Sequence, residues 1–164
     1  MPAAPVVRAP MRARDRDLPP GAGADHGVRH GIVGTGDVLQ PAPGSLEAAI
    51  AAAADRHGEK AGRMLRRFAG LPDGVFVWTR TSEGAHRLGR IAGPWTYDDS
   101  PAAAAVGIHH VRPARWLERT FDDDEVPAAV AATFGRGGRN LQRIHDAEAE
   151  AETEALWITH ASRA

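Results

Sequence analysis

The chain of 164 residues contains no cysteine. That absence excludes disulfides, a cysteine nucleophile and thiolate metal sites together. Lysine is nearly absent too: Lys60 is the only one among the twenty Lys and Arg. No apolar run approaches the roughly 18 to 20 residues of a membrane span, and the arginine-bearing N-terminus lacks the continuous apolar core of a signal peptide. The expectation is a cytoplasmic protein without membrane contact.

Hydrophobic residues make up 43% of the chain, which is enough for one core. The net charge of −1 is unevenly spread. From Lys60 to Asp146 there are thirteen Lys and Arg against ten Asp and Glu, whereas Asp146 to Glu154 holds five acids and no base. Three regions follow. Residues 1–27 mix Pro, Gly, Ala and alternating charges without a period, and read as a flexible leader. Residues 28–145 form the domain, and residues 146–164 an acidic C-terminal helix and tail.

Within the domain, His30 to Gly34 reads as a first strand and Thr35-Gly36-Asp37 as a tight loop. The run GTGDVL lacks the third glycine of a dinucleotide fingerprint. Ser45 caps an alanine-rich helix that Gly58 breaks. The next helix, Glu59 to Ala69, carries Ala61, Met64, Leu65 and Phe68 on one stripe, with Arg63, Arg66 and Arg67 at its margin. Those arginines are read as a solvated face or as phosphate contacts. Leu71-Pro72-Asp73-Gly74 is a turn into the strand Val75 to Arg80, which a second turn at Ser82-Glu83-Gly84 joins to His86 to Ile91. Gly89 suits a bulge or a close approach. Phe121 to Glu125 (FDDDE) reads as the acidic start of a helix, with Asp123 or Asp124 as its cap. Asn140 to His145 alternates as a closing strand.

The segment Gly89 to Leu117 is the centre of this arrangement. Trp95 and Tyr97 are two apart, so both rings leave the same face of an extended backbone. Alternation from Val111 to Trp116 gives a strand with two unlike faces. His109 and His110, being adjacent, point to opposite faces and do not converge on one metal, so no metal site or cofactor is expected.

The order GIVGTGD, LPDGVFVWTR, LGRIAGPWTYDD, HHVRPARWLERTF and NLQRI, over residues 30 to 145, resembles the small PUA-like β-barrel domains of the EVE and restriction-enzyme-associated kind. The sequence departs from their pattern at Thr35, where an aromatic is frequent, and after Gly74, where an acid is frequent. The resemblance implies an α+β fold: a strongly bent, mostly antiparallel PUA-like barrel with flanking helices and a C-terminal helix. It further implies a pocket for a modified or flipped base of DNA or RNA, in a setting such as phage defence or RNA handling. On that reading Trp78, Trp95 and Tyr97 supply stacking surfaces, and Thr35, Asp98 and Asn140 supply groups for the base edge. Arg112, in the H-x-R pattern, would bind phosphate or brace the pocket, and Arg136 and Arg139 in a glycine-flanked loop are further candidates for phosphate. Trp78 and Trp116 have an alternative reading as core residues.

Catalysis finds no residue set. Lys60 sits on a helix beside Glu59 rather than among strand-borne acids, and Ser45, Ser82, Ser100 and Ser162 fall at a cap, in turns or in the tail. A small hydrolase therefore stays a minor alternative. The other two readings are a nucleic-acid reader and a non-catalytic interaction domain that meets a protein partner through its acidic C-terminal helix. A pocket sealed by Leu156 or Trp157 would remove the reader.

Overall fold

The computed structural model describes residues 4–13, 18–138 and 140–161. In chain order its elements are β1 (Val6–Arg8), α1 (Ala22–His30), β2 (Ile32–Thr35), α2 (Leu46–His57), α3 (Glu59–Gly70), β3 (Phe76–Arg80) and β4 (His86–Ile91). They continue with β5 (Thr96–Tyr97), α4 (Pro101–Val106), β6 (His110–Phe121), α5 (Ala128–Gly135), β7 (Gln142–Arg143) and α6 (Ala147–Ala161). The fold is mixed α+β: a curled, mostly antiparallel sheet forms a half-barrel, with six helices around it.

The strand order is β2-β6-β4-β3-β1-β7, with β5 paired to β6. Strand β6 is the longest, and it makes the curl. Its start pairs with β2 on one edge (Thr35 opposite His110) and with β5 on the other (Tyr97 opposite His110), and its later part pairs with β4 (Ile91 opposite Ala114). The register slips between Arg87 and Gly89. There the Trp116 ring lies so close over Gly89 that an added Cβ would stand 2.5 Å from it, so a side chain at that position would displace the ring.

Residues 1–27, expected to be a flexible leader, are not one throughout. Val6 and Val7 are fully buried, and β1 inserts between β3, in parallel, and β7, antiparallel. This pairing accounts for all three ladder positions of β1, and the backbone groups of so short a segment are satisfied only through it. Helix α1 takes up the end of the same region and was also unanticipated, because its buried stripe of Gly23, Ala24 and Gly27 shows no apolar period. The acids of FDDDE do not cap a helix either. α5 starts at Ala128 after Pro127, Asp123 pairs with the buried His86 at 2.6 Å, and Glu125 accepts the Asp122 N–H at 3.0 Å. The closing strand is confined to Gln142 and Arg143.

Alternation along the strands gives the sheet two apolar faces. Inside the curl, Val7, Val33, Val75, Val77, Ile91 and Val111 meet Ile50, Ala53, Leu65 and Phe68 of the α2–α3 hairpin. Ser45 starts that hairpin by accepting the Ala48 N–H, as its sequence position predicts. Outside the curl, Val6, Phe76, Trp78, Leu88 and Phe121 are covered by Val130 of α5 and by Ala149 and Trp157 of α6. Trp157 packs against Phe76, with the Arg90 and Arg115 guanidinium groups 5.8 and 5.6 Å from its ring.

Trp78 is fully buried in this outer core, and its indole N–H donates to Thr153 Oγ1 at 3.1 Å. Trp78→Ala should cost about 3 to 5 kcal/mol of stability by urea unfolding. Thr153→Val, which leaves the buried indole N–H unpaired, should cost about 1 to 3 kcal/mol. Wild-type stability in both variants would contradict the core assignment.

Candidate functional site

The half-barrel has a cleft of about 110 Å³ between β2 and the α2–α3 hairpin. Its apolar floor is made by Leu39, Ala53, Leu65 and Phe68, with Ala61 and Met64 at the side. Thr35, Gly36 and Asp37 bring in the loop after β2, and His110 comes from the start of β6. Arg12, Arg67 and Asn140 complete the lining. The amphipathic spacing of α3 explains the mixture. Leu65 and Phe68 are buried, while Lys60, Arg63 and Arg67, spaced three and four apart, run along the exposed side of the same helix.

Helix α3 is held over the sheet by Arg112, which is buried rather than available to a phosphate. Its guanidinium donates to the Gly93 carbonyl at 2.9 Å and to the Phe68 and Leu71 carbonyls at 3.1 and 2.5 Å. It also donates to Asp73 Oδ1 at 2.9 Å. Phe68 and Leu71 lie at the C-terminal end of α3, where carbonyls lack helical partners and cations are favoured. Burial lowers the Arg112 pKa and the Asp73 carboxylate opposes that shift. Of the two roles the resemblance implies for this residue, the geometry excludes direct phosphate contact.

His110 occupies the wall of the cleft in a defined protonation state. The Trp95 indole, which has only a donor to offer, gives its N–H to His110 Nδ1 at 3.2 Å. Nδ1 is therefore the acceptor, and the neutral ring carries its proton on Nε2. Burial pushes the His110 pKa down to about 4; the charge of Asp37 and a hydrogen bond to the Asp37 backbone act against that, and His109 acts with it. The ring is neutral at pH 7 and its tautomer is fixed from behind.

Tyr97 fixes the other side. Its hydroxyl accepts the Leu39 N–H at 2.8 Å and donates to the Leu39 carbonyl at 3.2 Å, clamping the loop that supplies the floor. Its ring stacks on His109 with centroids 5.6 Å apart, and His109 Nδ1–H donates to the Asp98 carbonyl at 2.8 Å. The Asp98 carboxylate is occupied as well: Oδ1 accepts the Ser100 N–H at 2.9 Å. Burial would raise its pKa, but the Ser100 hydrogen bonds together with the charges of His26 and His109 hold it below the usual carboxylate value.

The structure thus brings together two of the expected residues, Thr35 and Asn140, in the cleft lining. Trp95, Tyr97 and Asp98 stand behind the wall rather than in it, so neither ring is a stacking surface of this cleft. Trp78 is on the opposite face of the sheet. Arg136 is exposed at the end of α5, and Arg139 lies outside the described residues. Sequence reasoning missed Arg12, Asp37, Leu39 and His110 as lining residues. Arg12 lay in the expected leader, and adjacent histidines give no signal of which one faces a cavity. Phe68 and Met64 are visible in the sequence only as an ordinary amphipathic stripe, and Arg67 only as one of three arginines at its margin.

No family model and no curated protein matches the chain. Among solved structures, it is similar to the YTH domain of the Zygosaccharomyces rouxii MRB1 protein, solved in complex with N6-methyladenosine RNA. The two are 11% identical over 94% of this chain and 89% of that chain, with a TM-score of 0.43.

Because the folded-state pKa of His110 lies near 4, below the ordinary value of 6.5, the unfolded chain takes up this proton first as the pH falls. The stability His110 contributes is complete above about pH 6.5 and should be lost between about 6.5 and 4. The loss is on the order of 3 kcal/mol. Trp95→Phe removes the donor to Nδ1, so the His110 titration followed by NMR should move up by about half to one pH unit. An unmoved titration would contradict the assigned tautomer.

Proposed function

We propose that this chain is a nucleic-acid reader module that takes one base of a single-stranded or locally opened DNA or RNA into the cleft between β2 and the α2–α3 hairpin. The observation that carries this reading is the composition of the cleft: apolar side chains of α3 and of the loop after β2, hydrogen-bonding groups from Thr35, Asp37, His110 and Asn140, and two arginines, Arg12 and Arg67. A base needs an apolar surface for its faces and polar groups for its edge. Ala61 and Met64, the half-buried apolar side chains of the lining, offer the first, backed by the buried Leu39 and Phe68, and Thr35, Asn140 and the loop 35–37 offer the second. Arg12 and Arg67 stand where the sugar-phosphate leaves the cleft, and Lys60 and Arg63 extend the basic side of α3.

The neutral state of His110 supports the same assignment. A charged imidazolium in the wall would favour an anion inside the cleft, whereas a neutral ring suits an uncharged heterocycle. The position of α6 also supports it. Leu156 and Trp157 pack on the outer face of the sheet, so they do not seal the cleft. The PUA-like and EVE-like resemblance of GIVGTGD through NLQRI agrees in kind with a reader, with the aromatic cage replaced by aliphatic and phenylalanine surfaces.

The reading is tested by fluorescence anisotropy with a panel of modified and unmodified single-stranded oligonucleotides. Ala61→Phe fills the side of the cleft and should weaken binding by at least about tenfold while the protein stays folded. Arg67→Gln should weaken all sequences alike and reduce the salt slope by about 0.7 for a single strand. Unchanged binding in Ala61→Phe would reject the cleft as the base site. An unchanged slope in Arg67→Gln would remove that residue from the phosphate contacts.

A further inference from the structure

A second cavity, of about 320 Å³, lies between the start of the chain, the β3–β4 turn and the loop after α5. Three arginines line it, Arg8, Arg12 and Arg80, with Ser82 and the Gly137–Gly138 backbone, and no Asp or Glu is part of its lining among the described residues. Arg8 is 6% exposed. Its Nη1 donates to the Thr133 and Gly137 carbonyls, both at 2.8 Å, and to Thr133 Oγ1 at 3.3 Å, while Nε donates to the Asn140 carbonyl at 3.3 Å. These partners are all neutral. Burial and then the charge of Arg136 push the Arg8 pKa down, and among the described residues no acid is paired with this guanidinium.

The rest of the cavity is arranged around that charge. Gly137 and Gly138 have φ of 76° and 106°, and a Cβ on Gly138 would stand 2.8 Å from Arg8 Nη2. Only glycine lets the loop come this close to the guanidinium edge. Arg80 is positioned by its Nε–H bond to the Gly84 carbonyl at 3.0 Å. Two acids stand behind the lining. Asp25 accepts the Ser82 N–H and hydroxyl at 3.1 and 2.5 Å, and the charge of Arg80 reaches Asp123, which pairs with His86. Arg12 lines both this cavity and the base cleft, so the two adjoin at that residue.

We infer that the second cavity takes a phosphate group, namely the backbone phosphodiester adjoining the base held in the first cleft. Its place on a strand rests on the reader assignment, but the affinity for phosphate does not. Guanidinium groups held in fixed positions suit phosphate oxygens, and a buried cation whose partners among the described residues are all neutral gains from an anion brought beside it.

The test uses amide NMR spectra of the full chain titrated with inorganic phosphate, at an ionic strength held constant with chloride. Saturable shifts are expected at Ser82, Gly84, Gly137 and Gly138, without movement of Thr35 or Gly36. Arg80→Gln and Arg12→Gln should each weaken phosphate by at least about fivefold. The same variants should weaken a mixed-sequence single-stranded octanucleotide to a similar degree. Shifts that chloride reproduces, or phosphate affinity unchanged in both variants, would overturn the site. A mononucleotide that binds as tightly as the octanucleotide would overturn the phosphodiester in favour of a terminal phosphate. The cleft is judged separately: a nucleoside, which carries no phosphate, should shift Thr35 and Gly36 whether or not the second cavity binds phosphate.

Discussion

Arg112 is buried inside the fold, and its guanidinium joins three separate segments: the carbonyl of Gly93, the two carbonyls at the end of α3, and the Asp73 carboxylate in the turn that follows. A charge so placed is tolerable because its donors are engaged and one partner is anionic. Its effect reaches the whole site. The bonds fix the distance between β6 and α3, and α3 supplies Leu65 and Phe68 to the floor of the cleft.

Polar contacts behind the cleft complete what Arg112 begins. Trp95 and Tyr97 act through their hydrogen bonds, one setting the proton of His110 and the other clamping both backbone groups of Leu39. A lining supported in this way loses little freedom when a ligand arrives, which favours binding by preorganisation. Two basic groups, Arg12 and Arg67, belong to the lining, and Lys60 and Arg63 continue along the exposed side of α3. The lining sets apolar side chains and hydrogen-bonding groups, among them the Asp37 carboxylate, beside two arginines, which is the mixture that the proposed base and its backbone would use.

Legibility in the sequence followed the range of the interactions. The β3–β4 hairpin was readable because VFVWTR is apolar and β-branched or aromatic, and because a glycine-bearing turn follows it at once. The α2–α3 hairpin was readable from Ser45, Gly58 and the Phe68 stripe, and β6 from its alternation. By contrast, β1 has three residues and becomes a strand only through partners near positions 76–78 and 142–143. No local pattern announces such a segment. The candidate residues divided in the same way. Thr35 and Asn140, which the resemblance offers as groups for a base edge, line the cleft. Trp78, Trp95 and Tyr97 were singled out as flat aromatic surfaces, yet in the fold one is core and two are braces. A side chain's direction depends on sheet curl, and the sequence period gives only its alternation.

The central claim is that a nucleic-acid base enters the cleft between β2 and the α2–α3 hairpin. The most direct measurement is a crystal structure of the full chain with a short single-stranded oligonucleotide that binds it. The account predicts one base with its face against Ala61 and Met64 and its edge toward Thr35, Asn140 and the loop 35–37. An oligonucleotide lying across α6 or the outer face of the sheet, with the cleft empty, would contradict it.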